Sequence, residues 1–326
     1  MSPSPLRTLA RRFPGLTFAA ERIVSSLPTL FLVVTVVFFA IRTLPGDPAY
    51  AILGDAASAE AIAALQARLG LDRPLFEQYL VFLRDLVQGD LGQSLVHGTS
   101  VVQMLARVLP FTLELALASI LLGAVIGIPL GIWSALERNR LVDYVTRIFS
   151  LIGFSMPVFF AAILLILLFA IQWPLFPVMS AGYAETLGGR LRELVLPATA
   201  GALSLVAMIT RATRSSMLEV LGEDYMRTAR AKGAPFRVLI MRHALRNALI
   251  PVVTVIGLYF ALIIGNSVLI ETVFTRPGLG SLIVGSLQNR DYPMVQGLLI
   301  AYALIIVLVN LLTDISYGFV DPRVKR

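Results

Sequence analysis

The sequence predicts an all-α integral membrane protein with six transmembrane helices. The chain of 326 residues is 57% hydrophobic and 14% charged, with a mean hydropathy of +0.82. A water-soluble domain needs a largely polar surface, which this composition does not supply. Helices of roughly 20 apolar residues cross a hydrocarbon core of about 30 Å. The predicted spans cover residues 23–41, 110–133, 148–171, 194–210, 248–270 and 294–312.

The first apolar run has one alternative, a signal peptide, because arginines precede it. The run is longer than the apolar core of a typical signal peptide. No small-x-small cleavage site follows it before RTLPGDP at residues 42–48. We therefore expect the run to be retained as the first span.

The distribution of Lys and Arg predicts the orientation in the membrane. These residues concentrate in the tail 1–22, after the second span, in the segment 211–247 and in the C-terminal tail. Cytosolic segments carry such an excess, so both termini are predicted to be cytosolic. The net charge of +7 and the pI near 10.0 are explained by arginines that face anionic lipid headgroups. Membrane lipid is therefore an expected partner and nucleic acid is not.

The loop at residues 42–109 is predicted to lie outside the cytosol and to contain three amphipathic helices. The first begins at Ser58 and stops at Gly70, and the third covers residues 100–109. The second has Asp72 as its cap and Pro74 in its first turn. Its predicted apolar face consists of Phe76, Tyr79, Leu80, Leu83 and Val87. These faces pack against the membrane and the spans, or they receive a soluble partner, and both uses remain open.

A basic segment, DYMRTARAKGAPFRVLIMRHALRN at residues 224–247, separates the fourth and fifth spans. Good helix formers lead to Gly233, which suits a left-handed cap, and Pro235 suits the first turn of a following helix. The sequence thus predicts a helix, a tight corner and a second helix. A basic loop that only fixes the topology is the alternative. The corner favours a projecting helix that fits a groove on another protein.

Signatures of catalysis are missing from the sequence. It contains no G-x-x-x-x-G-K-[ST] phosphate loop, so the chain is not itself an ATPase. It has no cysteine, and its two histidines, His97 and His243, are far apart in the sequence. No G-x-S-x-G or H-E-x-x-H pattern occurs. We therefore predict no catalytic residues, no metal site and no enzyme activity.

Polar residues inside the spans are candidates for a translocation path, because their burial in lipid is costly. In the third and fifth spans and at their ends these are Ser155, Pro157, Asn266, Ser267 and Glu271. Helix packing or a kink is the alternative role for each of them. For Glu114, Asn310 and Asp314 packing or interfacial roles are favoured.

The stretch RTARAKGAPFRVLIMRHALRNALIP, residues 227–251, resembles the EAA loop of the membrane subunits of binding-protein-dependent ABC importers. The chain is most similar to the dipeptide, oligopeptide and nickel permease branch, as a first permease subunit. Gly233 and Ala229 match the loop motif, whereas Arg227, Thr228 and His243 replace its usual Glu, Ala and Ile. Further matches occur in order at RTLPGDPA (42–49), LGLDRPLFEQY (69–79), LPFTLELALAS (109–119), ETVFTRPGLGSL (271–282) and DPR (321–323).

The resemblance implies a single permease domain over residues 1–326 with the type I ABC importer permease fold. The implied partners are a second homologous permease, two ATP-binding subunits and an extracytoplasmic substrate-binding protein. ATP and Mg would be held by the partner subunits, with no cofactor in this chain. The implied location is the cytoplasmic membrane of a bacterium or archaeon. The implied cargo is a di- or oligopeptide or a related small solute; relatives also carry nickel chelates, glutathione and sugar conjugates.

The resemblance also assigns roles to residues. The basic segment would be the coupling helix that docks an ATPase subunit, and Arg227, unlike the usual Glu, gives no expectation of a salt bridge there. The expected contacts are Tyr225, Met226, Arg227, Thr228, Ala229, Lys232, Gly233 and Ala234. Asn266 and Ser267 would line the path. Glu271, Arg276 and Pro277-Gly278 would form a gate or a docking rim.

Two other functions remain as alternatives. A gradient-driven secondary transporter often has broken helices near the midplane and internal repeats, but no clear repeat is present here. In a membrane scaffold without transport activity, the polar residues of the spans would serve packing only.

Overall fold

The structure is a computed structural model that describes residues 14–43, 48–53, 57–180, 182 and 184–320. Within these ranges, side chains are described from residue 22 to residue 313, except at 48, 51, 52, 68 and 69. The tail residues 1–13 and 321–326, the DPR match among them, and the Asp314 side chain lie outside the described part.

The described residues form helices joined by short loops. Strands are absent from this part of the chain, and an isolated antiparallel bridge joins Gln93 to Ser100. The helices are α1 (Pro14–Thr43), α2 (Pro48–Leu53), α3 (Ala59–Leu69), α4 (Leu75–Val87), α5 (Val101–Leu136), α6 (Leu141–Ser155), α7 (Val158–Ile166, continued by a π-helical turn Leu167–Gln172), α8 (Leu187–Leu221), α9 (Asp224–Ala231), α10 (Phe236–Val238), α11 (Leu245–Val273), α12 (Leu279–Gln288) and α13 (Tyr292–Val320).

Six membrane spans agree with the lengths and composition of these helices. Five are long and apolar enough to cross a membrane: α1 from Arg22, α5, α8, the continuous stretch Phe236–Val273 and α13. The sixth candidate is the pair α6 and α7, which bends by 104°. The bend lies at Met156 and Pro157, where the sequence predicted a break, because proline does not continue a helix from the preceding residue.

The second span is longer than predicted. Residues 100–109 were expected to form a separate amphipathic helix, and this expectation is wrong, because α5 runs without interruption from Val101 to Leu136. Val101 is fully buried, and Met104, Leu105 and Val108 pack around the same cluster as Met294. The apolar side chains of this stretch thus pack in a buried cluster, and the helix of the second span begins earlier in the chain than predicted.

The chain divides into two compact units. The first unit comprises residues 1–21, 111–276 and 309–326, and the second comprises residues 22–110 and 277–308. Each is described by itself below. The prediction of one permease domain over the whole chain stays a prediction.

A ladder of small residues joins α5 to α8 in the first unit. A Cβ atom on Gly123 would lie 2.6 Å from the Leu205 side chain, and one on Gly131 would lie 2.5 Å from Thr213 Cβ. Between them Gly127 faces Ile209 in the same way. Contacts this close require glycine, as in membrane helix pairs generally. Residue numbers rise together along the ladder, so α5 and α8 run parallel, as expected of second and fourth spans.

Helix α6 packs on α8 with its polar side. Its buried residues are Asp143, Thr146, Ser150 and Gly153, whereas its large apolar side chains are exposed. The Ser204 hydroxyl on α8 donates to the Gly153 carbonyl at 3.4 Å. Such a helix is stable where lipid replaces water around its apolar side.

Helices α3 and α4 belong to the second unit. As predicted, Ser58 caps α3 through a bond from the Ala61 amide, and Gly70 takes a left-handed conformation at its end. One side of α4 packs on α1. Tyr79 and Phe82 stack around Phe38 of α1.

Phe76, Leu80 and Val87 of the predicted apolar face are exposed, so the membrane or a soluble partner stays the predicted cover for these side chains. The expected cap at Asp72 is wrong. Pro74 occupies that position without a side-chain hydrogen bond.

Candidate functional site

The basic segment, residues 224–247, has the predicted shape of helix, corner and helix. Helix α9 ends at Ala231, and Gly233 follows with φ of +80°. The Ala234 amide donates to the Ala229 carbonyl at 3.2 Å, which satisfies an end of the helix. Pro235, with φ of −61°, then precedes the turn at Phe236. The glycine is needed here because L side chains rarely adopt its φ.

Met226 anchors α9 to the first unit. Its side chain is 1% exposed and packs with Met217, Ala135 and Ile240 in an apolar cluster. The sequence had suggested Met226 as a direct contact with a partner subunit. The structure corrects this suggestion, since the side chain points into the protein's own core and is absent from the surface of the helix.

A hydrogen bond provides a second anchor for α9. Asn247 Nδ2, near the start of α11, donates to the phenol oxygen of Tyr225 at 2.7 Å. The Tyr225 side chain is otherwise exposed. The helix is thereby held at both its first turn and its buried face.

The outward surface of α9, the side that faces away from the rest of the first unit, is polar, basic and exposed. Tyr225, Arg227, Thr228, Lys232 and Gly233 are exposed, and Ala229 and Ala234 are half-buried. Arg227 lies 3.4 Å from Asp224 in an ion pair that is almost fully exposed, so it contributes little stability. Arg230, Arg237, Arg242 and Arg246 add exposed positive charge. A partner with a complementary acidic groove would fit this surface.

The predicted path residues do not form one site. Asn266 is exposed on α11, on the same face as Leu262 and Leu269. Ser267 is buried and donates to the Ile264 carbonyl of its own helix at 2.8 Å. Ser155 and Pro157 are exposed at the bend between α6 and α7.

Glu271 is the predicted path residue with the most enclosed surroundings. It is fully buried, and the Thr112 hydroxyl donates to its Oε1 at 2.6 Å. Thr112 lies near the N-terminal part of α5 and Glu271 near the end of α11. The bond joins the N-terminal part of the second predicted span to the end of the fifth, as an antiparallel pair of spans would require.

An ion pair that the sequence did not predict lies beside Glu271. Arg276 is 2% exposed; its Nη2 donates to Glu114 Oε2 at 2.6 Å and its Nη1 to Ser180 Oγ at 2.8 Å. Burial lowers the pKa of Arg276 from its ordinary value, and the Glu114 carboxylate opposes that shift. The sequence favoured packing or interfacial roles for Glu114 and a gate or a docking rim for Arg276. The sequence signal for their pairing was weak: an acidic residue, Glu114, near the start of one apolar span and a basic residue, Arg276, just after another.

The turn that carries Arg276 is strained. Thr275 has φ of +52°, which is unusual for a β-branched residue. The Arg276 amide donates to the Glu271 carbonyl at 2.8 Å across this turn. The buried ion pair and this bond hold the turn in place.

Asp291 fastens an outer turn of the second unit. Its carboxylate is buried and accepts bonds from Ser94 Oγ at 2.5 Å and from the Leu95 amide at 3.1 Å. It also accepts from the Met294 amide in the first turn of α13. The turn after α4 is thus tied to the start of α13. The sequence analysis did not single out this residue.

Arg42 ties three helices of the second unit through neutral partners. Its Nη1 donates to Gln296 Oε1 at 2.8 Å and its Nε to Gln78 Oε1 at 3.1 Å. The guanidinium carbon lies 3.7 Å from the centre of the Phe38 ring. The arrangement stabilises the contact of α1 with α4 and α13.

Two family profiles match the chain. The profile described as "Binding-protein-dependent transport system inner membrane component" matches residues 127–326. A second, described as "Binding-prot-dependent transport system membrane comp, N-term", matches residues 15–116.

Relatives match over nearly their whole length. A probable peptide ABC transporter permease protein, y4tP of Sinorhizobium fredii, is 40% identical over 94% of this chain and 99% of the relative. The dipeptide transport system permease protein DppB of Alkalihalophilus pseudofirmus is 38% identical over 95% of this chain and 99% of the relative. The glutathione transport system permease protein GsiC of Escherichia coli gives the same values.

Solved structures support the fold. A MetNI methionine ABC transporter chain matches with a TM-score of 0.54 at 18% identity, over 67% of this chain and 97% of the other. An amino acid ABC transporter chain matches with a TM-score of 0.52 at 14% identity, over 67% of this chain and 94% of the other. The predicted fold, a helical membrane subunit of the ABC importer type, is confirmed.

Proposed function

The chain belongs to the family of inner membrane components of binding-protein-dependent transport systems, the permease subunits of ABC importers, and from this premise we propose that it imports peptides. The cargo class is a di- or oligopeptide or a related small solute. It is supported by relatives named for peptide, dipeptide and glutathione transport. Membership of this family supports a role as a permease that works together with other ABC subunits.

The coupling site is the outward surface of α9 and the corner that follows it. An ATPase subunit, which holds ATP and Mg, docks there through Tyr225, Arg227, Thr228, Ala229, Lys232, Gly233 and Ala234. The single observation that carries this assignment is the anchoring of an exposed basic helix by Met226 and Asn247. Because the helix is fixed to the spans, a push on it moves them, whereas a floppy loop would dissipate the motion. Met226 serves as the anchor and not as a contact.

The translocation path is shared with a second, homologous permease. The exposed face of α11, with Asn266 between Leu262 and Leu269, is the surface that would line the path or meet that subunit. Ser155 and Pro157 lie at a bend that allows the third span to move. Ser267 and Glu271 act from inside the unit, and Glu271, with Arg276, belongs to an outer gate.

The membrane topology completes the proposal. The protein is a multi-pass membrane protein, and both termini lie in the cytosol of a bacterium or archaeon, with the importer in its cytoplasmic membrane. The parallel course of α5 and α8, and the bond between the N-terminal part of α5 and the end of α11, support six alternating spans. The loop 42–109 then lies outside, where a substrate-binding protein delivers the cargo.

Reconstitution tests this function. The chain is co-purified from its native membrane in mild detergent with everything that accompanies it, and the complex is placed in liposomes with its binding protein. We expect uptake of a labelled dipeptide that requires ATP and is lost when the phosphate-loop lysine of the ATPase subunits is replaced. Uptake by the chain alone, driven by a proton or sodium gradient, would instead identify a secondary transporter. A stable chain that carries nothing would identify a scaffold.

A further inference from the structure

A buried ion pair in the first unit holds α6 to α8. Arg214 donates through Nε to Asp143 Oδ1 at 2.6 Å and through Nη2 to Oδ2 at 2.8 Å. The Asp143 side chain is fully buried and that of Arg214 is one-fifth exposed. This two-pronged geometry fixes the direction of the contact as well as its distance.

The same carboxylate closes the turn between α5 and α6. Ser134 Oγ, near the end of α5, donates to Asp143 Oδ1 at 2.7 Å, and the Asn139 amide donates to Oδ2 at 3.0 Å. Asn139 has φ of +61°, and the hydrogen bond from its backbone amide to the Asp143 carboxylate helps to hold this conformation. Asp143 thus joins the end of α5, the turn and the start of α6 to Arg214.

Arg214 lies close to the end of α8, where α9 is attached. One turn further, Met217 is fully buried and belongs to the same apolar cluster as Met226 of α9 and Ala135 of α5. Two residues, Gly222 and Glu223, separate α8 from α9. A displacement of α9 therefore acts on the end of α8 directly and through the methionine contact.

We propose that Asp143 and Arg214 are a positioning pair that carries the movement of α9 into α6 and hence to the bend at Pro157. This inference rests on the proposed ATP-driven function. The rest of the α6 face is made of the small residues Thr146, Ser150 and Gly153, which permit sliding along α8. The ion pair is the contact that fixes the register, so that a push on α8 moves α6 with it.

Single and double substitutions separate this role from simple stabilisation. Asp143→Asn and Arg214→Lys remove the two-pronged bond, and the second retains the positive charge. The double variant Asp143→Leu with Arg214→Met leaves no buried unpaired charge, and such replacements often restore stability. Glu137→Gln and Arg140→Gln, which break an exposed pair at the same turn, are the matched controls.

The measurements are ATP hydrolysis and dipeptide uptake by the reconstituted complex, together with its thermal stability. We expect all variants that assemble to hydrolyse ATP, while uptake per ATP falls by about tenfold or more in Asp143→Asn, Arg214→Lys and the double variant, as for a typical coupling energy. The controls should match the wild type.

Two results would overturn the positioning role. One is wild-type uptake per ATP in the double variant, which would show that the pair serves stability only. The other is a parallel loss of hydrolysis and uptake in the single variants that is fully explained by lower stability and repaired in the double variant. Absence of ATP-dependent uptake in the wild-type complex is a separate result that would reject the proposed function itself.

Discussion

The phenol oxygen of Tyr225 accepts a hydrogen bond from Asn247 Nδ2 at 2.7 Å, across 22 residues of sequence. This bond connects the first turn of α9 to the beginning of the fifth span. It holds α9 in direct contact with α11. The bond forms on the exposed side of α9, about 100° around the helix axis from the buried Met226.

Tyr225→Phe is expected to weaken the docking of the ATPase subunit without affecting the fold. The lost bond is worth about 0.5–1.5 kcal/mol, because water replaces it at an exposed site. Affinity between the purified permease and ATPase subunits measures the effect. Asn247→Ala should give a similar loss, and the double variant no more than either. The control is Tyr144→Phe, which removes a hydroxyl on α6; an equal loss there would exclude a specific role of the bond.

Met226→Ala is expected to destabilise the basic segment. The substitution leaves a cavity in a closed apolar cluster, which costs about 2–5 kcal/mol. The change is measured by thermal unfolding in detergent, with proteolysis of the basic segment as the readout. Met241→Ala is the matched control because the Met241 side chain is more than half exposed. Equal stability of the two variants would contradict the anchoring role of Met226.

Gly233→Ala is expected to weaken coupling through the backbone alone. A Cβ at this position meets nothing within 4 Å, but φ of +80° is strained for alanine by about 1–2 kcal/mol. Transport per ATP hydrolysed should fall while membrane insertion stays normal. Gly285→Ala is the control, since Gly285 also has open space and lies in an ordinary helix. Normal transport by Gly233→Ala would show that the corner is not needed.

Glu114→Gln is expected to destabilise the turn that carries Arg276. It removes the charge that pairs with the buried guanidinium and leaves a neutral amide oxygen as acceptor; because Glu114 is 34% exposed, the cost should lie below the value of about 3–5 kcal/mol for a fully buried pair. The midpoint of thermal unfolding should drop. Asp85→Asn, which breaks the exposed pair with Arg84, should leave it unchanged. An unchanged midpoint in Glu114→Gln would mean that the pair does not hold the turn.

The sequence predicted the corner at Gly233 because glycine and proline have strong local preferences that packing does not override. The break at Pro157 was predictable for the same reason. The burial of Met226 was not, since a methionine between Tyr225 and Arg227 gives no local indication of which side of the helix meets the core. The contact of Phe82 with α1 was not predictable either, because it depends on the aromatic side chain of Phe38.

The ion pairs could not be predicted from the sequence for a different reason. Asp143 and Arg214 are 71 residues apart, and Glu114 and Arg276 are 162 apart. Each charge was visible alone, at or near the end of an apolar span. Pairing them requires the register of α6 on α8 and the position of the turn after α11 beside α5, which are set by tertiary packing and have no local sequence signal.

Site-directed cross-linking tests the central claim most directly, and the absence of cysteine from the chain makes each introduced thiol unique in this subunit. Thr228→Cys on α9 and Val87→Cys at the end of α4, which the proposed topology places outside the cell, are both exposed positions. In the intact complex we predict that a short thiol-reactive cross-linker joins Thr228→Cys to the ATPase subunit, with a yield that changes on addition of ATP, and that Val87→Cys gives no such product. Cross-linking to the ATPase from Val87→Cys and none from Thr228→Cys, in a complex that still transports, would contradict the assignment of the basic segment.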